Sequence, residues 1–67
     1  MLEPHQQRVV EEHDELFLRT TKLGLFFATD MFKSLDLAEQ CRLSKQWHIM
    51  GDYVEILEQR IAAFSAE

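Results

Sequence analysis

The stretch LSKQWHIMGDYVEILEQRIAAF, residues 43–64, decides the fold. Its Leu43, Trp47, Met50, Val54, Leu57, Ile61 and Phe64 stand alternately four and three residues apart. Steps of three and four average close to one helical turn, so all of these side chains share one face of an α-helix. A shorter stripe of the same kind runs through Val9, His13, Leu16, Thr20, Leu23 and Phe27. Two long amphipathic helices in a 67-residue chain cannot cover each other's apolar faces. The expected fold is all-α: a long antiparallel helical hairpin that completes its core by homo-oligomerisation.

Working outward from the stripe, the pattern predicts one domain over residues 1–67. A helix spans about 5–28, a connection about 29–35, and a second helix about 36–64. Pro4 falls in the first turn, where a missing N–H costs nothing. Asp36 with Glu39 reads as a capping box for the second helix, and Ser34 is the competing N-cap. Met31, Phe32 and Leu35 are too apolar for a bare loop and are expected to plug the end of the hairpin. Val10, Phe17 and Gly24 widen the first apolar face, and Ile49, Tyr53 and Ile56 form a second line beside the main stripe. Glu11, Glu12, Asp14 and Glu15 are expected on the opposite, solvated side, with Glu15–Arg19 as a surface pair. Gly24 and Gly51, on apolar stretches, are candidates for close helix approach.

Composition narrows the function classes. Twelve Asp and Glu against seven Lys and Arg give a formal charge of −5. Such a chain is poorly suited to duplex nucleic acid or to an anionic membrane, where basic contacts dominate affinity. Cys41 is the only cysteine, which rules out an internal disulfide and points to a reducing, cytosolic setting. It is expected as a reduced, partly buried thiol. No apolar run approaches the roughly 20 residues of a membrane span.

The most unusual local composition is His5-Gln6-Gln7-Arg8, following Pro4. It gathers an imidazole, two amides and a guanidinium beside the backbone amides of a helix start, a set suited to phosphate, carboxylate or a nucleobase edge. A solvated first turn with nothing bound fits the same residues. His13 and Thr20 are polar positions in an apolar stripe, of the kind that fixes register. Trp47, on the stripe, reads as core. Tyr53, one step off it, offers a ring for stacking and a free hydroxyl, and Arg60 lies seven residues on along the same face. The histidines show no metal-binding spacing, and the serines have no His-and-acid partners. No glycine-rich phosphate loop is present, so neither an enzyme nor a resident cofactor or metal is expected.

The segments PHQQRVVEE (4–12) and FKSLDLAEQ (32–40), with Gln46, Met50, Tyr53, Leu57, Arg60 and Ile61, resemble small phage-encoded helical proteins related to a crAss-like phage product. More distantly, the layout resembles the helical-hairpin sponge proteins with which phages counter CBASS and Thoeris defence. That resemblance implies a homo-oligomer, often a hexamer, acting in the host cytoplasm. It would sequester a cyclic nucleotide or cyclic ADP-ribose signal without cleaving it. His5, Gln6, Gln7 and Arg8 would recognise phosphate or ribose at a subunit junction, with Tyr53 stacking and Arg60 as a second cation. The alternative is a protein-interaction module or inhibitor that docks an apolar helical face on a host or phage protein.

Overall fold

A computed structural model describes residues 1–66, and the described residues form helices and short connections only. Helix α1 spans Pro4–Phe26, the short α2 spans Asp30–Ser34, and α3 spans Leu37–Ala63, ending in a 3-10 turn at Phe64–Ala66. The first helix therefore stops two residues short of the boundary read from the sequence, and the connection holds a helical turn of its own.

Caps explain the boundaries. Gln6 Oε1 accepts from the Glu3 backbone N–H at 2.9 Å, and Glu3 answers with its own side chain, a capping box that starts α1. The expected box on α3 is only half made. Asp36 Oδ1 accepts from the Glu39 N–H at 2.8 Å, but the Glu39 carboxylate takes Arg42 Nε instead. Asp36 rather than Ser34 is thus the N-cap of α3, and Thr29 caps the intervening turn, accepting from the Phe32 N–H at 3.2 Å. Gln40 Nε2 donates to the Leu35 carbonyl at 2.9 Å and so ties the connection to α3.

The two long helices run antiparallel and pack along one seam. Val9 and Leu16 of α1 meet Val54 and Leu57 of α3, with Met50, Ile61 and Phe64 beside them. Leu57 is the most deeply buried side chain, with no exposed surface. At the closed end, Phe32 meets the rings of Phe26 and Phe27 edge-on, and Phe27 meets Trp47 the same way, at 4.9–5.9 Å between centroids. Phe32 and the half-buried Leu35 thus close the hairpin as expected, whereas Met31 is exposed. Trp47 Nε1 donates to the Thr20 carbonyl at 3.0 Å, and a Cβ at Gly24 would stand 3.1 Å from that nitrogen. Gly24 is the close-approach position, made necessary by an indole laid across α1. Gly51 has nothing within 4 Å of its absent Cβ, so it makes no close approach within the chain.

His13, expected as a register-setting position in the stripe, reaches across the seam as a partly solvated clamp. Nε2 lies 3.0 Å from Glu58 on α3 and Nδ1 lies 3.0 Å from Asp14. Both contacts favour the imidazolium, Glu58 most, and raise the His13 pKa above 6.5. Cys41 is exposed, which corrects the partly buried thiol expected for it. It lies beyond the seam, on a flank of α3 that no other helix covers.

The result is a rod of 48 × 14 × 14 Å. Its radius of gyration is 15.3 Å, where a compact chain of this length has about 11 Å. With so few buried side chains, each matters. Leu57→Ala should cost about 2–5 kcal/mol, most of the stability such a chain can have, and collapse the helical signal in circular dichroism near room temperature. His13 makes stability pH-dependent with a defined sign. Its contribution is complete below the ordinary value of 6.5, while the carboxylates stay ionised, and is lost as pH rises through the elevated folded value. A melting-temperature series should fall across that window, reporting a stability loss of under about 1 kcal/mol for so exposed a pair of carboxylates. His13→Gln should flatten the fall.

Candidate functional site

Helical phase sorts the candidate residues by side. On α1, His5, Arg8 and Glu12 follow one another at steps of three and four residues and share a flank next to the seam. On α3, Tyr53 and Arg60 share a flank seven residues apart. A hydrogen bond from the Tyr53 hydroxyl to the Glu12 carboxylate crosses between the helices, so the two flanks form one side of the hairpin. His5, Arg8, Tyr53 and Arg60 therefore lie along the same face, near its open end, and all four are exposed.

Gln6 and Gln7 are placed differently. Gln6 is buried, with 7 % of its surface exposed, and its carboxamide oxygen is held in the helix cap. That structural task takes it off the accessible face. Gln7 is exposed and turned along its own helix, its Nε2 lying 3.5 Å from Glu11. The start of α1 also offers less backbone than a bare helix N-terminus does. Pro4 has no N–H, the Gln6 amide serves the capping box, and the Gln7 N–H donates to the Glu3 carbonyl at 2.9 Å. Of the first-turn amides this leaves that of His5, so anion recognition at this end leans on side chains.

Glu12 is the residue that the sequence reading set aside on the solvated side. Its position seven residues from His5 and four from Arg8 was the signal that it joins their flank. Accepting from Tyr53, it fixes the phenol's orientation. The Tyr53 pKa is raised above 10.0, chiefly by that hydrogen bond, while the Arg60 charge pulls it the other way. The face thus carries two guanidinium groups, an aromatic ring and one carboxylate. Guanidinium groups suit phosphate oxygens, the carboxylate accepts from sugar hydroxyls, and the half-exposed ring offers a stacking surface.

On the other side of the seam lies an open groove of about 310 Å³, lined by Phe17, Thr20, Thr21, Gly24, Trp47, Gly51 and Val54. Among the described residues, no three His, Cys, Asp or Glu side chains converge to hold a metal ion. No described helix is long and apolar enough to cross a membrane.

These features define a class: a small helical hairpin that has a polar, cation-bearing face and no assembled metal centre among the described residues. Residues 3–63 match the Sequestin family, and the chain belongs to that family. It is also 40% identical over 60 residues to an uncharacterised 7.5 kDa protein of Enterobacteria phage T4, from the denB–rIIB intergenic region. That match covers 90% of this chain and 94% of the phage protein. Both matches support a small phage protein, and neither carries the narrower link to a crAss-like phage product. No solved structure matches the chain.

Because Tyr53 is the only tyrosine, its ionisation can be followed by absorbance without interference from another phenol. It should titrate above 10.0 in the folded protein. Glu12→Gln should lower the midpoint, and Arg60→Ala should raise it, with helicity checked in the same samples. Identical midpoints in all three proteins would remove the Glu12–Tyr53–Arg60 arrangement.

Proposed function

We infer that the chain is a phage counter-defence protein that works as a homo-oligomer. It binds a small cyclic nucleotide or cyclic ADP-ribose-type immune signal and sequesters it without cleavage. The observation that carries this reading is the single face holding Arg8, Glu12, Tyr53 and Arg60, joined across the helices by the Tyr53–Glu12 hydrogen bond. Membership of a family named Sequestin supports a sequestering role.

The chemistry fits such a ligand in three parts. Arg8 and Arg60 supply local positive charge for phosphate in a protein whose net charge is −5, with His5 at the edge of the same face. Glu12 accepts from ribose hydroxyls, a role that a phosphate-only ligand would not need and would oppose by repulsion. Tyr53 presents its ring to the base. Binding by charge and stacking with no nucleophile or activated water returns the signal intact, which is what separates a sponge from a hydrolase. Gln6 stays in the cap, and Gln7 borders the face without lining it.

Melting curves with excess cyclic ADP-ribose and with a cyclic dinucleotide test the reading. At a hundredfold excess over Kd, a ligand that binds only the folded protein stabilises it by about 2.7 kcal/mol, a shift of several degrees for a chain this small. Arg60→Ala and Arg8→Ala should each weaken binding roughly ten- to a hundredfold while leaving helicity intact. The ligand recovered after denaturation should be unaltered by mass. No shift with either class would defeat the sequestration reading and favour a module that docks on another protein through the exposed ridge of Ile49 and Ile56. Turnover of the ligand would make the chain an enzyme.

A further inference from the structure

The groove opposite the candidate face has no assigned task, and its lining is unusual for a surface. None of its seven lining residues is ionisable, and Gly24 and Gly51 leave a hollow between the helices. The same flank of α1 runs through Val10, Asp14, Phe17, Thr21, Gly24 and Ala28, with Asp14 taken up by His13, whereas the opposite flank carries Arg8, Glu12, Glu15, Arg19 and Lys22. The hollow itself is uncharged, and the charges on this side, Asp14 and Glu58, are paired through His13 beyond the rim at Phe17. Phe17 stands at the rim of the hollow with 53% of its surface exposed, stacked on His13 at 5.9 Å.

The surface area shows how large a cover is missing. The chain exposes 5244 Å², while a compact monomer of 7.9 kDa exposes about 4,400 Å². The excess, about 800 Å², is what one partner contributes to a standard stable interface. A second copy meets that requirement with the same patch. Knob and hole lie on one surface, so a two-fold axis that seats Phe17 over the partner's hollow returns the partner's phenyl ring to this one.

We propose that the groove of Phe17, Gly24, Trp47 and Gly51 is the self-association face of this protein. Two hairpins pair there as an isologous four-helix bundle, with each Phe17 packed into the hollow beside Gly51 of the other copy. The assignment rests on the self-association included in the function inferred above and adds which side performs it. It also leaves Arg8, Tyr53 and Arg60 facing outward in the pair, so assembly and ligand capture use opposite sides. Gly51 is the position that separates this role from folding. A Cβ there has open space for 4 Å, so a side chain enters the groove without displacing the backbone, and α3 gains helix propensity when glycine is replaced.

Native mass spectrometry and sedimentation of four proteins test the proposal: the wild type, Gly51→Trp, Phe17→Asp and, on the opposite ridge, Ile56→Asp. The expected result is a wild-type dimer, or an even-numbered oligomer built from it, that Ile56→Asp preserves. Gly51→Trp and Phe17→Asp should become monomeric, with the helical circular dichroism of Gly51→Trp unchanged. An oligomer that survives both groove substitutions but dissolves with Ile56→Asp would overturn the face while leaving self-association standing. A monomeric wild type would overturn both, and would give the groove to a different occupant.

Discussion

Trp47 lies across Gly24 and donates to the Thr20 carbonyl, and the register of the whole hairpin follows from that contact. An indole is too large to sit between two helices at ordinary separation unless one of them lacks a side chain at the crossing. Glycine removes the obstacle, and the carbonyl gives the buried N–H an acceptor. The Phe27–Trp47 edge contact and Phe32 then close the turn, while the Leu57 seam extends toward the termini. His13 and Glu58 pin the open half with a charge-assisted bond that a one-residue slip of either helix would break.

One seam is all that two helices can share, and this has consequences for function. Each helix keeps two flanks, and the sequence treats them unequally. The flank with Arg8, Glu12, Tyr53 and Arg60 carries groups that need water or a polar ligand. The groove of Phe17, Gly24 and Gly51 on the other flank is lined by no group that can be charged, and the Asp14 and Glu58 carboxylates near it are paired with His13. A rod this thin exposes more surface than a globule of equal mass, so its stability and its binding are both problems of covering area.

Several readings of the sequence were incomplete where a side chain had two possible employers. Gln6 looked like a recognition group because of its neighbours, but an amide three residues after Glu3 is equally suited to close the cap, and its oxygen is taken up there. Glu12 is exposed, as expected with Glu11, Asp14 and Glu15, but its phase also brings it to the seam's edge, where it accepts from Tyr53. Gly51 resembled Gly24 on paper. Only one of the two has an aromatic side chain lying opposite it. Cys41, beside Gln40 and Arg42, gave no signal of its exposure, because burial at a helix flank depends on whether another helix is there.

The sequence by itself determined that the chain is helical, where its long helices lie within a few residues, which stripe they bury, and that Trp47, Leu57 and His13 belong to that seam. Those properties follow from periodicity and capping, which act over one or two turns and are written locally. The tertiary structure alone decided which flanks come together. That depends on the antiparallel register between residues some forty positions apart, set by the fit of Trp47 to Gly24 and of His13 to Glu58. Through that register Tyr53 met Glu12, Arg8 and Arg60 came to one side, and the two glycines fell on the other.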